Sequence, residues 1–473
     1  MASGRVVTLA PAMVFRRCDM LVWLLLIVLP GLWIGLSMLE LEGAAEDGKA
    51  GPGEPPALSP LVVLQGRVLV MTEGLAGHAE SLADPDPLGT RPMARLGAAM
   101  LLARNGEKDH AMLQIRQAED DGLAASDPEL VAAVRKAVVA WPQEGGLASG
   151  QLDARDWERL HDRMGWFGTL ARSELEDDPV ARKAVAGAAF ELLVTLTAAG
   201  IWFVGAGLAG VVVLIVVVVL GWRHRLGSGL EDAPRLGTLL GETFVAWMAL
   251  LMVMNLMAGA LMGDASDLTR SWLSMSISLA SLAALAWPVV RGRLWSQVRR
   301  AMGLHLRGGA WRMAWMSGVS YVTALPCMAA GILAGQGLAW LLPERDFRDV
   351  SHPVQELLPT AGGATVVSLF VLACVVAPIV EETLFRGVLY GHVRSRTRAW
   401  MPWASMAFAA LFSAAVFAAI HPQGVLAVPA LAGLSIGFCI SREWSGSVVP
   451  GMLAHGFHNG LLLALNLALS TGA

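Results

Sequence analysis

The hydrophobic and polar positions divide the chain into three textures. Residues 20–39, MLVWLLLIVLPGLWIGLSML, form one apolar run. Residues 41–60, rich in Gly, Ala, Pro and Glu, have the composition of a linker. From 60 to 185 charged residues mix with apolar ones at helical spacing, as in MARLGAAMLLARNGEKDHAMLQIRQAEDDGL and DPELVAAVRKAVVAW. Ser126-Asp127-Pro128-Glu129 reads as a capped helix start with Pro in its first turn. The acidic run Glu174, Glu176, Asp177, Asp178 before Pro179 marks another start, since carboxylates favour a helix N-terminus. This stretch predicts a small helical soluble domain, without a repeat at any fixed period.

Beyond 187 the apolar runs dominate. They cover 201–222, 239–262, 272–290, 313–342, 363–392, 402–420, 424–440 and 447–468. Each has the length needed to cross a hydrocarbon core of about 30 Å. The expected fold is all-α: a polytopic transmembrane helix bundle of about eight core spans plus an N-terminal anchor, with an inserted soluble helical domain. The expected divisions are an anchor at 1–40, the linker and soluble domain at 41–186, and the multi-pass domain at 187–473. The first run is read as an uncleaved anchor. It is too long for a signal peptide, and LELEGAAED after it lacks a small-x-small cleavage site.

Composition agrees. Hydrophobic residues make up 55% of the chain and charged ones only 16%, against about 25% charged in soluble proteins. Seventeen Trp against two Tyr suit interfacial anchors. The net charge of -4 comes with no basic stripe, which excludes a nucleic-acid partner. The cysteines, Cys18, Cys327, Cys374 and Cys439, form no CxxC pair and read as small hydrophobes.

Loop charge sets an expected orientation. Arg291, Arg293, Arg299, Arg300, Arg307 and Arg312 lie between two spans, Arg223, Arg225 and Arg235 in another loop, and Arg394, Arg396 and Arg398 in a third. The alternate loops carry Asp264, Asp267, Glu344, Asp346, Asp349 and Glu356. The positive-inside rule puts the Arg-rich loops, with Arg16 and Arg17, in the cytoplasm and residues 41–185 outside. The Ala-, Arg- and Gly-rich composition suggests a bacterial inner (cytoplasmic) membrane.

Ionisable groups inside apolar spans cost at least ~2.5 kcal/mol each at mid-helix, so the few present are the chemical candidates. Glu381, Glu382 and Arg386 lie in LACVVAPIVEETLFRGVLYGHVRSR. Glu382 and Arg386, at i and i+4, can pair on one face, while Glu381 points about 100° away. His421 ends FAAIH. His455 and Asn459 in HGFHN share one helix face, with His458 close to it. Singly, each group admits a structural reading: an interfacial helix end, a packed histidine, a polar helix contact. Three of them on separate spans within 80 residues point to one site.

These motifs resemble a known family. EETLFR at 381–386, FAAIH at 417–421 and HGFHN at 455–459 match, in order and approximate spacing, the EExxxR, FxxxH and HxxxN motifs of the CAAX protease and bacteriocin-processing (CPBP) family of intramembrane endopeptidases. That family includes the type II CAAX prenyl endopeptidase. The resemblance covers roughly 240–470 and leaves out the anchor and the 41–186 domain. It implies a hydrolase in which Glu381 is the general base on a water held by His421. His455 and Asn459 stabilise the oxyanion, with Glu382 and Arg386 in support. No metal or other cofactor is needed. A zinc-dependent protease is the runner-up, since one Glu and two His can hold zinc with an open position, although HExxH is absent. A non-catalytic membrane scaffold, immunity or secretion factor is the alternative from another class. A transporter is a third reading, disfavoured because no repeat relates the two halves.

The expected partners are the lipid bilayer and a membrane-anchored protein or peptide substrate, with a further protein partner for the 41–186 domain. That domain's histidines, His78, His110 and His161, are widely spaced among charged residues and read as solvated surface. The orientation predicts that a reporter fused after residue 120 is extracytoplasmic and one at residue 300 cytoplasmic. A cytoplasmic signal at 120 would show the first span to be miscounted.

Overall fold

In the computed structural model the described residues are 20–33, 58, 60–76, 88, 91–141, 152–223, 227–230, 236–262, 265–341, 361–421 and 423–470. Arg16, Arg17, Cys18, most of the 41–60 linker, His78, Arg225, Arg235, Asp264 and the loop from Glu344 to Glu356 lie outside them. From the N-terminus the helices are α1 (Met20–Trp33), α2 (Pro60–Ala76), α3 (Pro92–Arg104), α4 (Lys108–Ala118), α5 (Pro128–Ala140), α6 (Ala154–Met164), α7 (Trp166–Leu175) and α8 (Pro179–Trp222). There follow α9 (Gly237–Met262), α10 (Asp267–Val290), α11 (Trp295–Met302), α12 (Ala310–Leu341), α13 (Gly363–Arg396), α14 (Pro402–Ala419), α15 (Val428–Ser445) and α16 (Val449–Ser470). Among the described residues every regular element is helical.

The chain forms two compact units. One comprises Leu41–Ile201 with Pro353–Thr360 and Ala464–Ala473. Three of its helices begin on polar caps: Asp127 accepts from the Leu130 amide at 3.1 Å, Asp153 completes a capping box with Asp156, and Asp178 accepts from the Val180 amide at 2.8 Å. The Phe167 ring is fully buried and rests on bare backbone. A Cβ at Gly66 would come within 2.6 Å of it, and one at Gly97 within 3.1 Å. Buried Arg67 donates to the carbonyls of Ala188 at 2.8 Å and Leu469 at 3.2 Å. The Leu469 contact places a cation at the C-terminal end of α16, where the helix dipole favours one. α8 is an unbroken helix of 44 residues, about 66 Å of rise.

The other unit comprises Met1–Glu40, Trp202–His352 and Ala361–Leu463. Seven helices among the described residues are long and apolar enough to cross a membrane: α8, α9, α10, α12, α13, α14 and α16. This is a polytopic helical membrane protein. The segment expected to span at 424–440 is α15, a complete helix of 18 residues whose last turn carries Arg442 and Glu443. Those charges take it out of the set of plainly apolar spans. The described part of α1, Met20–Trp33, is apolar but shorter than a full crossing.

Without a hydrophobic drive between helices inside lipid, close backbone approach holds such a bundle together. The α12–α15 pair uses glycines one turn apart on both helices. A Cβ at Gly331 or Gly335 of α12 would overlap the Pro429 or Leu426 carbonyl, and one at Gly433 of α15 would overlap the Cys327 carbonyl. Gly433→Ala should therefore force α12 and α15 apart and lower the unfolding temperature in detergent. Gly259→Ala, at a position with open space around it, should leave stability unchanged or raise it slightly through helix propensity, about 1 kcal/mol. Equal behaviour of the two variants would argue against this packing.

Candidate active site

The site is assembled on α13, α14, α15 and α16. α13 widens into π-helical turns at Leu372–Val376 and Glu382–Leu389, a rare device that is frequent at functional sites. The expected split between the adjacent glutamates is present. Glu382 is 1% exposed and its Oε1 lies 3.0 Å from Arg386 Nη1, whose side chain is also fully buried. Glu381 faces elsewhere and is 23% exposed.

The histidines converge on these two carboxylates. His455 Nδ1 lies 3.0 Å from Glu382 Oε1, on the same oxygen that Arg386 engages. Its other nitrogen, Nε2, lies 3.8 Å from Glu381 Oε2. His421 Nε2 lies 3.8 Å from that Glu381 oxygen too. Both gaps exceed a direct hydrogen bond and suit one bridging oxygen. His421 Nδ1 is 2.5 Å from the Phe417 carbonyl one turn earlier. A carbonyl only accepts, so Nδ1 carries a proton, and in the neutral ring Nε2 presents a lone pair. Asn459 Nδ2 donates to the Ala373 carbonyl at 2.8 Å, inside the first π-helical turn. This leaves the second N–H of its amide for another acceptor.

Residues outside the motif positions first singled out build the walls. The Phe438 ring of α15 stacks on His455, with centroids 5.5 Å apart. The Arg386 guanidinium lies over Phe417 at 4.5 Å and Phe438 at 5.3 Å, a placement that stabilises a desolvated cation. A Cβ at Gly451 would lie 2.8 Å from Glu382 Oε2, so α16 approaches the carboxylate closely only with glycine there. Trp33 of α1 donates to the Ile420 carbonyl at 3.0 Å, bracing the turn that carries His421. A single Phe, Gly or Trp on an apolar helix has no distinguishing pattern, and these roles arise only where helices meet.

The remaining candidates fall elsewhere. His458 is buried beside Tyr321, ring centroids 6.0 Å apart, away from the two glutamates. The Ser413 hydroxyl of α14, not a motif residue, donates to the Phe385 carbonyl at 3.1 Å. His110 is exposed and pairs with Glu107 at 2.8 Å, and His161 is exposed on α6, as surface residues. Among the described residues no group of three or more His, Cys, Asp or Glu is arranged to hold a metal ion.

A carboxylate–imidazole cluster thus lies inside a polytopic helical bundle. Residues 363–461 match the family described as Rce1-like, type II CAAX prenyl endopeptidase Rce1-like. The matched stretch runs from the start of α13 into α16 and contains Glu381, Glu382, Arg386, His421, His455 and Asn459. Comparison with curated proteins and with solved structures gives no match.

Removing one partner of a buried pair leaves an uncompensated charge. Arg386→Leu should thus cost about 3–5 kcal/mol, seen as a large drop in unfolding temperature in detergent. Glu382→Leu added to Arg386→Leu should restore much of that loss. A single variant of near-native stability would show that the pair is not a buried charge pair.

Proposed function

We propose that the protein is an intramembrane endopeptidase of the glutamic type, cleaving a membrane-anchored protein or peptide without a metal. The observation that carries this reading is the placement of Glu381 Oε2 at 3.8 Å from both His421 Nε2 and His455 Nε2.

A water between these groups donates one hydrogen to Glu381 and the other to the bare Nε2 of His421. Its lone pair is then directed at the peptide carbonyl carbon. Glu381 takes the proton as the new C–O bond forms. The oxyanion accepts hydrogen bonds from His455 Nε2–H and from the second N–H of Asn459. His455 in this role holds protons on both nitrogens, one given to Glu382. The charges then cancel, with Arg386 balancing Glu382 and His455 balancing Glu381. Collapse of the tetrahedral intermediate breaks the C–N bond, and the proton on Glu381 passes to the leaving amine. Donors aimed at an oxyanion in a dry site are worth about 10²–10³ in rate, and a general base about 10²–10⁴.

With a quenched-fluorescent membrane-anchored peptide, Glu381→Gln, His421→Ala and His455→Ala should each lower turnover by at least about 10²-fold while folding is retained. Asn459→Ala should cost less, since one donor remains. Near-normal turnover by Glu381→Gln would remove the general base. Activity should survive exhaustive zinc chelation. Stoichiometric zinc lost together with activity would favour the zinc-dependent reading. Inertness of the native chain toward every membrane-anchored peptide would favour the scaffold.

A further inference from the structure

A second polar feature of the membrane unit plays no part in this chemistry. At the start of α12, Arg307, Gly308 and Arg312 face residues Gly227–Gly229 and the end of α15, Trp444 and Ser445, across a groove of about 470 Å³. Both arginines are exposed. Arg307 Nη1 donates to the Gly229 carbonyl at 2.9 Å, and Arg312 Nη1 to the Arg307 carbonyl at 3.1 Å. Gly308 and Gly309 have φ of 82° and 87°, the left-handed region that other residues rarely adopt. They turn the chain so that the Arg312 side chain folds back over Gly308. Neither guanidinium pairs with a carboxylate among the described residues, and no described carboxylate lines the groove. Each therefore keeps further N–H donors in a fork that matches phosphate oxygens.

The surroundings decide what kind of phosphate fits. α12 is a membrane-crossing helix by length and composition, so its first turn lies at the bilayer boundary. Trp311 and Trp315, one turn apart there, are 88% and 69% exposed, and Trp444 forms part of the groove wall. Tryptophan on this scale settles at the headgroup level, with acyl chains beside it. A free anion in solution has no use for such a border, whereas a phospholipid uses both halves. Basic pockets between membrane helices are the known form of headgroup recognition.

We propose that this groove binds the headgroup of an anionic phospholipid, with Arg307 and Arg312 on its phosphate and the exposed tryptophans beside its acyl chains. The site lies on the loops between α8 and α9 and between α11 and α12, outside the protease-family segment at 363–461 except for Trp444 and Ser445. It is tested by binding alone, so its outcome does not depend on any protease activity. The purified, delipidated full chain is incubated with mixed phosphatidylglycerol and phosphatidylcholine, and the lipid retained is measured by mass spectrometry. Phosphatidylglycerol should be enriched, and the enrichment should fall about fivefold for each arginine removed in R307Q/R312Q. The single variant R312Q leaves the Arg307–Gly229 bond intact and should show one such step. R299Q/R300Q, which removes two exposed arginines outside the groove, should keep the native enrichment. Equal losses in the two double variants would reduce the effect to diffuse charge and overturn the site. So would full displacement of phosphatidylglycerol by inorganic phosphate at matched concentration.

Discussion

Glu382 is the group on which the membrane unit depends. A carboxylate that is 1% exposed in an apolar bundle is tolerable only if its charge is compensated on the spot. Arg386, one turn away on the same helix, supplies the opposite charge, and His455 from α16 adds a donor to the same oxygen. The rest of the local architecture follows. Arg386 must be buried too, so Phe417 and Phe438 offer it their ring faces. α16 must come close, so position 451 is glycine. The ring of His455, held at Nδ1 by Glu382 and stacked on Phe438, can present only Nε2 to Glu381. A structural pair thereby sets the direction of a chemically useful nitrogen.

The wide turns of α13 contribute in a second way. A helix carbonyl keeps a second lone pair that a neighbouring helix can use. At Leu372–Val376 the helix loosens, and the Ala373 carbonyl accepts from Asn459. The turn at Glu382–Leu389 coincides with the buried pair. A helix that must meet partners on two sides gains adjustable register from such turns. Further along, Tyr390 and Arg394 of α13 both reach Glu443 of α15, at 2.6 Å and 3.0 Å to one oxygen. This second buried network fixes the far end of the same helix. It also explains why the last turn of α15 carries charge while remaining part of the bundle.

Much of this was legible along the chain. Apolar runs reveal helices because lipid offers no partner for a free backbone amide or carbonyl. The helix starts at Asp127 and Asp178 were legible because a cap is a local interaction, complete within three residues. Glu382–Arg386 was legible for the same reason, being one turn of one helix. The spacing of Glu381, His421, His455 and Asn459 marked out a site because ionisable groups are costly in apolar spans. The meeting of His421 and His455 at 3.8 Å from Glu381, and the tie of Asn459 to Ala373, belong to the tertiary structure. So do the sharing of Glu382, the roles of Phe438, Gly451 and Trp33, and the groove at Arg307 and Arg312. Each depends on residues far apart in sequence, and which partners meet is decided only when helices pack. Local periodicity determines a helix and the face on which a residue lies. The close approach of two backbones through glycine, and the compensation of one buried charge by groups from elsewhere, decide what that face touches.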